Sequence, residues 1–79
     1  MNNEVAFLQF IVENLVNNKE DVNIDRVEDE LGVLLTLKVN KEDMGIIIGK
    51  NGNTINSLRS ILKILGLKIG KRINLKVLD

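Results

Sequence analysis

The stretch Ile46-Ile47-Ile48-Gly49-Lys50-Asn51-Gly52-Asn53-Thr54-Ile55 constrains this chain more than any other. An apolar run stops at a glycine. Two polar residues follow, and a second glycine leads into a new pattern. Asn51-Gly52 is a strong hairpin-turn dipeptide, and a hairpin would require period-two alternation after it. Instead Ile55, Leu58, Leu62 and Leu65 recur at helical spacing, so the glycines stand between an apolar segment and a helix start. Two glycines three apart let the backbone turn tightly and bring its N–H groups close to another molecule. A helix start presents unpaired N–H groups and the positive end of the dipole, which favour an anion. Lys50 adds a full positive charge at the same point. The combination describes a clamp for a sugar-phosphate backbone. It is not the phosphate loop of an NTPase, which needs four residues between its glycines and a Ser or Thr after the lysine. Here Gly45 and Gly49 are separated by three residues, and Asn51 follows Lys50.

A chain of 79 residues makes one small domain, 1–79, with no linker or repeat. Phe7 and Phe10 are its only aromatics, so the core must be built from Ile, Leu and Val. Cysteine and histidine are absent. That excludes disulfides, thiolate metal sites and the usual nucleophile–base pairs, and no cofactor is expected. The carboxylates fall in polar turns and helix faces, so no enzyme chemistry is expected either. No stretch approaches the roughly 20 apolar residues of a membrane span. Met1-Asn2-Asn3-Glu4 is not a basic leader, and a cytoplasmic protein with no membrane partner is expected.

The formal charge is zero, with eleven basic and eleven acidic residues, whereas nucleic-acid binders usually carry a basic surplus. The distribution is strongly polarised. Residues 4–30 hold Glu4, Glu13, Glu20, Asp21, Asp25, Glu28, Asp29 and Glu30 against Lys19 and Arg26. Residues 44–78 contain no acid and carry Lys50, Arg59, Lys63, Lys68, Lys71, Arg72 and Lys76. The basic half therefore contains the glycine loop.

Val5, Leu8, Val12, Leu15 and Val16, widened by Phe7 and Ile11, predict a helix over 4–17 that stops at Asn17-Asn18. Residues 22–28 predict a short, polar edge strand, and 29–32 a turn. Val33, Leu35, Leu37 and Val39 alternate with Leu34, Thr36 and Lys38, which predicts a central strand over 33–39. Asn40 suits the cap of a short helix opening at Lys41-Glu42-Asp43 and carrying Met44, Ile47 and Ile48. The next helix begins near Gly52 or Asn53 and runs to Lys68. Gly70 fits a left-handed C-terminal cap. Gly66 costs up to about 1 kcal/mol relative to Ala inside a helix, which points to close packing. The last strand spans 71–78, with Ile73, Leu75 and Val77 inward.

Two helices between the second and third strands predict a right-handed crossover and parallel pairing. The expected fold is α+β, in the order α-β-β-α-α-β, with a mixed three-stranded sheet and three helices on one face. That order resembles a type II KH domain. The whole chain resembles the KhpA-type small bacterial single-KH-domain proteins, through Glu42-Asp43-Met44-Gly45, Ile47-Ile48-Gly49-Lys50-Asn51-Gly52, Leu58-Arg59, Gly70-Lys71 and Val77-Leu78-Asp79. The resemblance implies binding of single-stranded RNA with little sequence preference, about four nucleotides being held at the GXXG loop. It implies an RNA-chaperone or post-transcriptional role, with links to cell elongation and division. It also implies a homodimer, or a heterodimer with a second, larger KH-domain protein. The chain departs from the family pattern at Lys19, where a proline is expected. It departs again at Ile64, Leu65, Leu67 and Ile69, where an alanine-rich helix end is expected.

Carried over residue by residue, the resemblance implies that Gly49 and Gly52 admit the RNA backbone while Lys50 and Asn51 project towards phosphate. Ile48 and Ile55, with Leu35 or Leu37, would form an apolar floor for bases; simple core packing is the alternative for each. Asn53, Thr54 and Asn56 lie in the first helical turn, as RNA contacts or as helix caps. Arg59 lies further along the polar face, facing RNA or solvent. Without groove aromatics, affinity per domain is expected to be low. The rival reading is a KH-fold protein-interaction or dimerisation module within a larger assembly, favoured by the neutral charge and the apolar 64–69 segment.

Overall fold

A computed structural model describes residues 3–78. Helix α1 spans Asn3–Leu15, and after a single tight turn at Lys19–Asp21 the chain enters strand β1, Asn23–Asp29. A two-residue connection leads into β2, Gly32–Lys38. Helix α2, Met44–Ile48, follows a tight turn at Lys41–Asp43, and α3, Asn53–Ile69, follows another at Lys50–Gly52. Strand β3, Ile73–Val77, closes the order.

The sheet order is β1-β2-β3. β1 pairs antiparallel with β2, and β2 pairs parallel with β3, setting Val33 beside Ile73, Leu35 beside Leu75 and Leu37 beside Val77. The molecule is thus α+β with three helices and a mixed three-stranded sheet, in the expected order. Val33, Leu35, Leu37, Ile73 and Leu75 are buried under the helices, which contribute Leu8, Val12, Ile47, Ile55, Leu58 and Leu62. Fully burying an aliphatic side chain of this kind contributes about 1.5–3 kcal/mol. On the other sheet face Leu34, Lys38, Asn74 and Lys76 are exposed.

The boundaries shift slightly from expectation. α1 ends at Leu15 rather than residue 17, because the N–H groups of Asn17 and Asn18 turn towards the Asp43 carboxylate. The strands sit at 23–29, 32–38 and 73–77 rather than 22–28, 33–39 and 71–78. Phe7 and Leu15, expected on the buried stripe of α1, are substantially exposed. Asn40 caps as expected: its Oδ1 accepts from the Glu42 N–H at 2.8 Å.

Asp43 ties the front of the molecule together. It is fully buried. Its Oδ1 accepts from the Asn17 N–H at 3.1 Å, and its Oδ2 from the Asn18 N–H at 3.0 Å and the Asn18 side-chain amide at 3.1 Å. Burial alone would raise its pKa, but these donors outweigh burial and hold the carboxyl below its ordinary value. The connection after α1 is thereby pinned to the start of α2.

Candidate nucleic-acid interface

Helix α2 ends at Gly49, whose N–H donates to the Gly45 carbonyl at 2.9 Å. Gly49 has φ 75° and ψ 173°, and a Cβ there would overlap the Thr54 hydroxyl and sit 2.7 Å from the Thr54 nitrogen. Its bareness therefore lets the end of α2 lie directly against the first turn of α3. Asn51 follows with φ 56° and ψ 26°, a left-handed conformation that asparagine tolerates better than most residues. Gly52 is also left-handed, φ 76°, and serves as the N-cap position of α3 without any side-chain cap bond. The tight turn Lys50–Gly52 thus aims its exposed Lys50 and Asn51 side chains outward at a helix N-terminus that no side chain caps.

The expected site residues divide into two groups. Lys50, Asn51, Asn53 and Asn56 are exposed around the turn, and Ile48 is 37% exposed at its edge. Ile55 is 5% exposed, and Leu35 and Leu37 are fully buried. These three belong to the core and present almost nothing to a ligand. Of the residues expected to form a floor, only Ile48 is exposed. Thr54 makes no cap bond and packs against Gly49 instead.

Arg59 is held rather than free. Its Nε donates to the Leu75 carbonyl at 3.3 Å and its Nη1 to Asn56 Oδ1 at 3.4 Å. It bridges the side of α3 to the outer edge of β3. Beyond it lies a groove of about 710 Å³ between α3 and β3, whose lining includes Arg59, Lys63, Leu67, Lys71, Arg72 and Leu75. Reasoning from sequence located these cations in the basic half but not on one surface. The parallel β2–β3 pairing and the fold-back after α3 bring them together. The only advance signal was the acid-free run 44–78.

One acid reaches this region from elsewhere. Glu28 on β1 accepts from Lys71 Nζ at 2.6 Å and from Arg26 Nη2 at 2.8 Å, and Arg26 also pairs with the buried Glu4 of α1. The Lys71 and Arg26 hydrogen bonds hold the Glu28 carboxyl below its ordinary value. Among the described residues no group of His, Cys, Asp or Glu is placed to hold a metal ion. No helix there is long and apolar enough to cross a membrane.

The chain is similar to known proteins over most of its length. The family model described as KhpA/KhpB, KH domain, matches residues 5–77. "RNA-binding protein KhpA" of Borreliella burgdorferi is 34% identical over 77 residues, covering 98% of this chain and 94% of the relative. The protein of that name from Aquifex aeolicus is 38% identical over 72 residues, 91% of each chain. That from Clostridium perfringens is 34% identical over 71 residues, 90% of this chain and 95% of the relative. No solved structure matches the chain significantly.

Proposed function

This chain belongs to the KhpA/KhpB KH-domain family, and on that premise we propose that it is a non-enzymatic protein that binds single-stranded RNA at the Gly49–Gly52 turn. The observation that carries the reading is the uncapped N-terminus of α3 behind the exposed Lys50 and Asn51. Anions bind where backbone N–H groups and the helix dipole converge. Gly49, Gly52 and Ile48 bound the approach, Lys50 and Asn51 meet phosphate, and Asn53 and Asn56 stand within reach of the strand. About four nucleotides are held there, with weak sequence preference because no aromatic side chain stacks on the bases. The role proposed is that of a cytoplasmic RNA chaperone or post-transcriptional regulator, which such permissive binding suits.

A second feature supports assembly. Phe7 on α1 and Ile61, Ile64 and Leu65 on α3 line an apolar cleft of about 350 Å³, and Phe10 on α1 is also strongly exposed. Of the residues that stand where an alanine-rich helix end is expected, Ile64, Leu67 and Ile69 are exposed and Leu65 is half-buried. Pairing through this face with a second KH domain would add a second weak groove and gain avidity.

One titration tests the binding mode. Three gripped phosphates give a log–log salt slope of roughly −2 for a uridine tetramer. A slope several times steeper would assign binding to a broad charged surface instead. Sedimentation of the same protein at tens of micromolar is expected to show dimer, and a strict monomer that recovers no KH partner would remove the assembly reading.

A further inference from the structure

Asn51 carries a chemistry that RNA binding does not use. Of the chain's asparagines it alone precedes a glycine. Asparagine is a chemically labile side chain, and its breakdown runs through the backbone nitrogen of the next residue. A side chain on that next residue hinders the approach, and glycine has none. The Asn51 side chain is exposed, whereas those of Asn14, Asn18, Asn40 and Asn56 are engaged in hydrogen bonds.

The turn holds the reacting atoms apart, but lightly. Asn51 sits at ψ 26°, which directs the Gly52 nitrogen away from the Asn51 side chain. The hydrogen bond that keeps this nitrogen in place, Gly52 N–H to the Gly49 carbonyl, is 3.2 Å long, at the upper limit of the usual range. Asn51 also occupies left-handed backbone, φ 56°, which costs a non-glycine residue free energy. Rotation out of the turn relieves that cost, and exposed turns open locally at little expense. Once the turn opens, the N-terminus of α3 and the Lys50 ammonium both favour negative charge on the reacting nitrogen.

We infer that Asn51 is a self-modification site, at which a neutral amide in the phosphate-facing turn is slowly converted to a carboxylate. The Gly52 nitrogen gives up its proton to solvent and attacks the side-chain carbonyl carbon of Asn51. A carbon–nitrogen bond forms there, the bond to the side-chain nitrogen breaks, and ammonia leaves a cyclic imide. Water opens the imide at either carbonyl, giving aspartate or isoaspartate. In sum, asparagine and water become a carboxylate and ammonium, with nothing oxidised or reduced.

The new carboxylate is the first acid within residues 44–78. A helix N-terminus beside a lysine suits a negative charge, and aspartate tolerates left-handed backbone as asparagine does. The aspartate form therefore keeps the fold while repelling phosphate from the turn. Isoaspartate lengthens the main chain and disrupts the turn itself. Bound RNA holds the turn shut and slows the conversion. These consequences for RNA rest on the reading above; the conversion itself does not.

The test holds the folded chain in mildly alkaline buffer, with and without a saturating uridine tetramer, beside the same chain unfolded in urea. Peptide mapping by mass spectrometry follows each asparagine, and ion exchange isolates the aspartate form. Asn51 is expected to convert before any other asparagine in the folded chain, and more slowly with the tetramer present. Asn51→Gln stays unmodified at that position. The isolated aspartate form and Asn51→Asp both melt like the parent and bind the tetramer about tenfold more weakly. A folded chain that keeps Asn51 intact while the unfolded chain converts overturns the proposal, as does earlier conversion elsewhere in the folded chain. Conversion at Asn51 with parental affinity in the aspartate form leaves the chemistry standing and overturns the loop reading. A parental chain that binds no RNA removes the RNA reading alone, because the conversion is read by mass.

Discussion

Helix α3 is entered through Gly49 and Gly52 and left through Gly66 and Gly70, and the two pairs are built alike. In each, one glycine permits close approach: a Cβ at Gly49 would overlap the Thr54 hydroxyl, and one at Gly66 the Lys71 carbonyl oxygen. In each, the other permits left-handed backbone, φ 76° at Gly52 and 74° at Gly70, with room for a side chain. Both ends return released backbone groups to the chain, and they differ in the side chains that stand beside them. At the C-terminal end the N–H groups of Gly70 and Lys71 both return to the Gly66 carbonyl, the latter at 2.9 Å. The chain closes on itself there, as in a Schellman motif. At the N-terminal end the N–H groups of Gly52 and Asn53 turn back to the Gly49 and Lys50 carbonyls and no side chain caps the helix, while Lys50 and Asn51 are exposed beside it. Glycine spacing alone therefore does not mark a binding site. What sets the N-terminal pair apart is the pair of exposed polar residues, Lys50 and Asn51, between its two glycines.

The close-approach glycines give the largest expected effects. In an open helix, Ala gains about 1 kcal/mol over Gly. At Gly66 the overlap with backbone reverses that sign, for an expected loss of about 2 kcal/mol and a fall in melting temperature of roughly 10 °C. Gly49→Ala meets both overlap and a φ of 75° and is expected to lose at least as much. A Gly66→Ala chain that melts above its parent would break the likeness between the two ends.

Asp43 supports only the loop end, through the connection it pins ahead of α2. Asp43→Asn loses an acceptor facing three donors and is expected to lower the melting temperature by roughly 8 °C at pH 7. The carboxyl sits below its ordinary value of 3.8. Its stabilisation is thus complete above that value and is lost as pH falls through the lower, folded-state value. Thermal melts of parent and variant should converge in strong acid. A constant gap from pH 7 to pH 2 would show that the charge plays no part.

Gly52→Ala and Gly70→Ala carry the smallest effects. Each meets only the left-handed backbone penalty, about 1 kcal/mol, or roughly 5 °C in the melt. Unequal losses at the two positions would show that the ends are less alike than their geometry.

Much of this was legible in advance because it depends on local pattern. The alternation from Val33 to Val39 and the helical spacing of Ile55, Leu58, Leu62 and Leu65 identify elements whatever surrounds them. Gly70 and Asn40 do at the caps what their residue types favour. The rest depends on pairings far apart in the chain. Asp43 reads as one more acid in a polar turn until Asn17 and Asn18 are folded against it. Ile55 reads equally as groove floor or core, and only its place above the sheet makes it core. The α3–β3 groove needs the parallel register that sets β3 at the sheet edge beside α3.

The central claim is that the open end of α3 is where RNA is gripped, and Lys50→Asp/Asn51→Asp tests it most directly. Both side chains are exposed, and aspartate shares with asparagine its tolerance of left-handed backbone, so the fold is expected to change by less than about 0.5 kcal/mol. Two carboxylates there repel phosphate and oppose the helix-end field. The measurement is a single-stranded RNA titration beside a thermal melt. The account predicts a parental melt with RNA binding abolished; a parental melt with parental affinity would contradict it and hand the molecule to the interaction-module reading.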